Sequence, residues 1–518
     1  MSPVVSDGRR VTRSPTTLAG RASLNTLAAA VDMGTRFLIE LLVTPILVSG
    51  LGGYLYGAWR VLWQWTGYLW ATSGRSAQAL QSAIANKQSS PDMHEKQQYV
   101  ACALIVWLLF LPLLVVLGAI GVWYAPGFLD TPPGQVGGVR LGAAILVADA
   151  IALTVLTVPR SVLQAENMGY KRLGWSAVVL VVGAGFTVFA IKVDAGLPGV
   201  AAATLATTVL TAAVFLSVVR KNVLWFGVAR PTRATLRWFL GLSSWFLAWK
   251  LIFELMTASD VLILAGLASV ELVTVYVLTK FVADALSVLT ATLVQGVTPG
   301  IGGIIGAGDL AKAVRVRAEM LSLTWLITTV VGATMLAWNA SFVGLWVGEQ
   351  RYAGSLESLL IIVMVVQFIF VRSDNYVIDV TLRLRNKVLL GAVSTLLSVS
   401  FAVVLVGNYD LGVSGLCAGI IAGRTVMSVA SPWLVGRALN HPFKRQLRGV
   451  ARPISVTAAL FAAMYFFGDR VETESWPVLV ALSALTAVAV ALVAVVAGLT
   501  VDQRRTLRTR AATVLRSA

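Results

Sequence analysis

Six basic side chains lie inside long apolar runs of this 518-residue sequence: Arg36, Arg60, Lys250, Lys280, Arg372 and Arg424. A charge at the centre of a membrane-crossing helix costs about 2.5–3.5 kcal/mol on insertion scales, so each must have a partner or a task. Some have an acid one helical turn away. Asp32, Arg36 and Glu40 form an i,i+4 ladder, and Lys250 with Glu254 and Lys280 with Asp284 form pairs. The plain reading of these is mutual neutralisation. Arg60 and Arg424 have no acid within four residues, and Arg372 has only Asp374, which faces another side of its helix. These three need a partner on another helix, water or a bound anion. A cavity lined this way suits an anionic headgroup, phosphate above all, because a guanidinium grips it with two parallel hydrogen bonds. Asp149 is the converse, a lone acid at mid-membrane depth. It either carries a coupling proton or cation, a role open to Asp32 as well, or pairs with Arg36 across the cavity.

Trp59, Trp63 and Trp70 share one helical face, where they serve either as an interfacial aromatic belt or as flat platforms for sugar rings. Gly300, Gly302, Gly303, Gly306 and Gly308 resemble a phosphate cradle but lack the Lys-Ser/Thr ending and the flanking strand, so they are expected to form a flexible loop. Asn339-Ala-Ser341 fits a glycosylation acceptor, a triplet common by chance. The two histidines, His94 and His441, and the two cysteines, Cys102 and Cys417, are far apart in the chain. They offer no metal-ligand spacing and no disulfide framework. No catalytic constellation, metal site or cofactor motif is expected, and the chain is not read as an enzyme.

The elements that must position these residues are membrane helices. The chain is 57% hydrophobic and 13% charged, with a mean hydropathy of +0.81, which excludes a large water-soluble domain. Apolar runs occur at 22–48, 55–73, 98–124, 139–160, 173–192, 198–219, 239–265, 272–297, 320–338, 355–378, 388–407, 413–434, 449–468 and 477–499. Only helices satisfy the backbone in lipid without closing a barrel, and the short alternating segments of a barrel are absent. Fourteen spans are predicted, with no cleaved signal peptide.

With the N-terminus placed in the cytoplasm, the inside segments hold 31 Lys and Arg and the outside loops 4. The bias persists through every alternate loop, so both termini are expected inside. The net charge of +17 is then a topology signal and not a sign of nucleic acid.

A repeat runs through the series. Asp194-Ala-Gly196-Leu-Pro-Gly199 in the first half matches Asp410-Leu-Gly412-Val-Ser-Gly415 in the second. Ser49-Gly50-Leu51 matches Ala265-Gly266-Leu267, and Lys171 matches Lys387, at the same offset. A four-residue insertion aligns Tyr56 and Arg60 with Tyr276 and Lys280. Six spans separate the equivalents, so the copies are parallel repeats. The expected architecture is all-α and integral to the membrane, with two six-helix lobes (1–238 and 239–436) and a pair of extra helices with a basic tail (437–518). A site between the lobes and alternating access by rocking follow from that symmetry.

The segment LVTPILVSGLGGYLYGAWRVLWQWTGYLW resembles the opening of Wzx-type polysaccharide and oligosaccharide-lipid flippases, in the superfamily that also holds the multidrug MATE exporters and the lipid II flippase. Thr44-Pro45, Leu51-Gly52 and Tyr56-Gly57-Ala58-Trp59 carry the match, and 259–281 with 297–309 support it. The chain departs at Ser73, where family members often carry an acid, and at Lys280, where lipid-linked members often carry Arg. The resemblance implies a cationic central cavity holding a pyrophosphate while the lipid tail stays in the bilayer, with Arg36, Arg60, Lys280 and Arg424 as its binding residues. It implies translocation of a lipid-diphosphate-linked oligosaccharide across a plasma membrane during cell-surface polysaccharide synthesis. The partners implied are the lipid-linked glycan, membrane lipids, a polysaccharide polymerase and glycosyltransferases. The competing reading is a cation-coupled MATE-type exporter of small molecules. A membrane glycosyltransferase would want a large loop rich in carboxylates, and the largest outside loop has only Asp130.

Overall fold

A computed structural model describes residues 18–505, apart from 72–75, 87–91, 167, 169–172, 381–383 and 469. The helices are α1 (Leu18–Ala71), α2 (Ser76–Asn86), α3 (Met93–Phe128), α4 (Val136–Leu156), α5 (Val158–Ala165), α6 (Leu173–Lys192), α7 (Gly196–Asn222) and α8 (Arg233–Leu267). They continue as α9 (Val270–Gly306), α10 (Leu310–Val347), α11 (Ser355–Val380), α12 (Leu384–Gly407), α13 (Gly412–Ala438), α14 (Phe443–Gly468) and α15 (Trp476–Val493). No strand occurs among the described residues. Twelve helical segments are long and apolar enough to cross a membrane. One of them, Met33–Trp70, contains two arms, and α8 is long enough to cross although Lys250, Glu254 and Asp260 break its apolar run. The protein is a multi-pass membrane protein, and its helices agree with fourteen spans.

The two arms of α1, 18–51 and 53–71, meet at Gly52, whose φ of 76° and ψ of 171° only glycine adopts readily. Arg60 lies within electrostatic reach of Glu40. Twenty residues along a straight helix would separate them by about 30 Å, so the chain folds back at Gly52 into an antiparallel hairpin. The corresponding break in the second copy of the repeat falls at Ala268, between α8 and α9.

The repeat is written into the backbone elsewhere too. Asp194 and Asp410 both take left-handed φ angles, 51° and 52°, and Gly196 and Gly412 follow with 55° and 48°. Both turns feed 27-residue helices, α7 and α13. The matched sequence motif is thus a turn, repeated because the two helical hairpins it connects are repeated.

Helices α3, α4, α6 and α7 gather around the α1 hairpin, and α9, α11, α12 and α13 form a second group. Helix α8 touches both, meeting α1, α2 and α3 on one side and α12 on the other. Helices α14 and α15 attach to the second group chiefly through α10. The tightest pairing is α12 with α13. A Cβ at Gly419 would collide with the backbone of Ala402, and one at Gly423 with that of Ser398. Small residues at four-residue spacing let the two backbones approach this closely, which is how membrane helices gain packing without a hydrophobic drive.

Three expectations are corrected here. Gly300, Gly302, Gly303 and Gly306 belong to α9, and only Gly308, at φ 82°, sits in a turn. Asn339 is buried in α10, where its amide donates to the Thr279 carbonyl (3.0 Å) and to Ser358 Oγ (3.3 Å), so it joins three helices and offers no glycan acceptor. Lys96, Arg317 and Lys387, counted with the inside loops, are buried in helices.

Candidate functional site

Charged residues converge where the α1 hairpin meets α8 and α9. Lys280 on α9 places Nζ 2.7 Å from Asp260 Oδ2 on α8 and 3.5 Å from Asp284 Oδ1 one turn along its own helix. The Tyr276 hydroxyl also donates to Asp260 Oδ2, at 2.6 Å, and the Val261 N–H donates to Oδ1 at 2.9 Å. Asp284 in turn lies within electrostatic reach of Arg60, and Arg36 and Arg60 both act on Glu40. Asp284 is thus in contact with Lys280 and within electrostatic reach of Arg60, the residue that the sequence repeat aligns with Lys280. The cluster holds three cations (Arg36, Arg60, Lys280) and three acids (Glu40, Asp260, Asp284), so it is balanced and not cationic. The primary partner of Lys280 is Asp260 and not the expected i+4 Asp284.

A second cluster lies deeper in the group formed by α9, α11 and α13. Arg424, buried on α13, donates to the carbonyls of Met364 on α11 (3.0 Å) and Met256 on α8 (3.1 Å). Arg372 on α11 donates to the Ser287 carbonyl and, at 3.2 Å, to Ser287 Oγ. Both guanidinium carbons lie 5.1 Å from the ring centroid of Phe368, so two cations share one aromatic ring. Asp374 belongs to neither. It accepts from Arg317 Nε and Nη2 at 2.9 and 2.6 Å. Among the described residues, neither Arg372 nor Arg424 forms an ion pair.

The remaining expected residues fall apart from one another. Lys250 pairs with Glu254 as the spacing indicated, and it also lies 5.1 Å from the Trp70 ring and 5.2 Å from Phe253. Trp70 therefore holds a lysine. Trp59 and Trp63 lie with ring centroids 5.6 Å apart, but Trp59 packs into the core, leaving Trp63, 42% exposed, as the open ring. Asp149 is buried between α4 and α7, near Thr208, with Oδ1 lacking a hydrogen-bond partner. No ion pair joins it to Arg36, which is exposed. The side chain of Asp32 lies outside the described residues.

Sequence reasoning missed Asp260, Phe368 and the Lys387–Asp379 pair, whose atoms approach to 2.5 Å while Lys387 Nζ sits 3.6 Å from the Trp249 ring centroid, and it placed Tyr276 in the repeat without giving it a role. Asp260 was within reach, since the rule that singled out Asp149, an acid inside an apolar run, applies to it equally. Phe368 carried no such signal.

No family model matches the sequence, and no curated protein matches it. Solved structures do. An inward-facing multidrug-resistance MATE family transporter of the MOP superfamily aligns with a TM-score of 0.63 at 18% identity, over 79% of this chain and 96% of that one. The fold is that of the MATE transporters. A MATE in complex with MaD3S aligns at 0.58 and 18% identity, over 82% and 97% of the two chains. A MOP superfamily transporter from Pyrococcus furiosus, described as having a binding pocket of reverse polarity that suggests a different function, aligns at 0.56 and 18% identity over 81% and 95%.

Proposed function

We propose that the protein is an alternating-access transporter of the plasma membrane that moves an anionic, lipid-diphosphate-linked oligosaccharide across the bilayer, with both termini in the cytoplasm and the lobes divided near 238 and 436. The observation that carries this reading is the pair Arg372 and Arg424 around Phe368. Two guanidinium groups in an apolar helix bundle lack any carboxylate within ion-pair distance among the described residues; the acid that acts on Arg424 from farther off, Asp260, is already paired with Lys280, so the two arginines leave a surplus of positive charge. Each guanidinium has five N–H donors, and the bonds described use only two on Arg424. A diphosphate supplies both the charge and the acceptors, whereas a cationic drug meets repulsion. Arg60 and Lys280, whose charges are already matched by Glu40, Asp260 and Asp284, are at most a weaker second contact, and Trp63 offers an open ring to a sugar.

The test is delivery of the lipid-linked glycan to the opposite leaflet at matched protein levels. Removing a charge-assisted contact costs about 1.5–3 kcal/mol, so Arg372→Ala and Arg424→Ala should each lower the rate tenfold or more. Arg351→Ala, in the segment linking α10 and α11, should leave it near wild type. Equal rates for all three would overturn the assignment.

Asp149 favours a second reading, a cation-coupled exporter of small molecules. A buried carboxylate with one oxygen unpartnered is a place for a proton or a cation. Gradient-driven efflux of a cationic dye from proteoliposomes, abolished in Asp149→Asn, would select that reading over the first.

A further inference from the structure

An apolar groove lies on the outer face of α12 and α13 and is closed at one end by the start of α14. Its volume is about 610 Å³, and its walls include Leu397 and Phe401 on α12, Ala422, Val429 and Trp433 on α13, and Phe443 on α14. From Ala422 to Trp433 the groove follows α13 for about 16 Å at 1.5 Å per residue. Half of a bilayer's hydrocarbon core is about 15 Å. The groove is therefore about one leaflet long, running from the middle of α13 to the α13–α14 turn.

Its closed end is strongly basic. Arg437 lies with its guanidinium carbon 5.0 Å from the Trp433 ring centroid, and exposed Lys444 and Arg445 follow the groove residue Phe443. Residues 433–452, around the α13–α14 turn, hold Arg437, Lys444, Arg445, Arg448 and Arg452 and no acid. Among the described residues, none of Arg437, Lys444 and Arg445 forms an ion pair. An apolar slot of single-leaflet length with unopposed cations at its rim matches a phospholipid bearing a net negative headgroup.

We infer that this groove is a binding site for an anionic glycerophospholipid of the leaflet facing the α13–α14 turn, with the acyl chain along α12 and α13 and the phosphate at Arg437 and Lys444. The inference does not depend on what the protein transports.

Native mass spectrometry of the purified full-length chain, given palmitoyl-oleoyl phosphatidylglycerol or phosphatidylcholine, reads it directly. Phosphatidylglycerol should be retained preferentially, with retention falling about fivefold for each charge removed in Arg437→Gln and Lys444→Gln, while phosphatidylcholine is unaffected. Ala430→Trp should lower retention of both by filling the groove, and Ala422→Phe, at an exposed position, serves the same purpose if the first variant fails to fold. Equal retention of the two lipids, or indifference to both charge variants, would overturn the site. So would displacement of the lipid by inorganic phosphate, which would mean a free-anion site, or by a polyisoprenyl diphosphate at equal stoichiometry, which would make the groove a substrate path.

Discussion

Lys280→Gln removes the one cation that touches Asp260 among the described residues. The aspartate would keep the Tyr276 hydroxyl at 2.6 Å and the Val261 N–H at 2.9 Å, but its charge would remain in a site where its side chain is 7% exposed. Breaking a buried pair by removing one partner costs about 3–5 kcal/mol. The two surviving hydrogen bonds place this case near the lower end, at about 3 kcal/mol, more than a hundredfold in the folded population. Adding Asp260→Asn removes the stranded charge and leaves two neutral amides, so the double variant should return to within about 1 kcal/mol of the wild type. Adding Asp284→Asn should help much less, because that carboxylate is 49% exposed and its loss removes only a screened repulsion while the Asp260 charge stays buried. A double-mutant cycle on unfolding in micelles, followed by near-UV circular dichroism, measures all three. Rescue by Asp284→Asn as complete as by Asp260→Asn would refute the assignment of Asp260 as the primary partner. If both doubles are stable but only the wild type transports, Lys280 acts on substrate as well as on Asp260.

Gly52→Ala should lose about 1–3 kcal/mol of stability from backbone strain alone, since φ is 76° and a Cβ there meets nothing within 4 Å; Gly53→Ala, in equally open space, is the control, and equal melting shifts would remove the turn argument. Gly423→Ala should separate α12 from α13, because its Cβ would strike the Ser398 backbone, with a melting loss larger than that of the open Gly449→Ala. Cysteine labelling in intact cells should find positions 130, 351 and 472 on one face and 228 and 445 on the other; finding 228 and 445 on opposite faces would end the parallel-repeat account.

Much of the fold was legible because membrane helices are specified locally. An apolar run long enough to cross the hydrocarbon core has no alternative to helix in lipid, and the Asp-x-Gly turn before α7 and α13 depends on two residues that tolerate positive φ. The Gly419, Gly423 spacing, which brings α12 and α13 together, is a local signal that the sequence reading passed over. Ion pairs were legible where the partner lies one turn away, as for Lys250 and Glu254.

What spacing could not supply was the partner on another helix. Asp374 points away from Arg372, as its two-residue offset required, but nothing in the sequence couples it to Arg317, far back in the chain on α10. Arg424 has no acid on its own helix, and the structure meets its need with carbonyls of α8 and α11, groups present in every residue and therefore without any sequence signature. The sequence by itself determined the helices, the repeat and which charges had to be explained. Only the tertiary structure decided how they are explained, because in a low-dielectric interior a charge binds the acceptor that packing places within about 3 Å, whatever its distance along the chain.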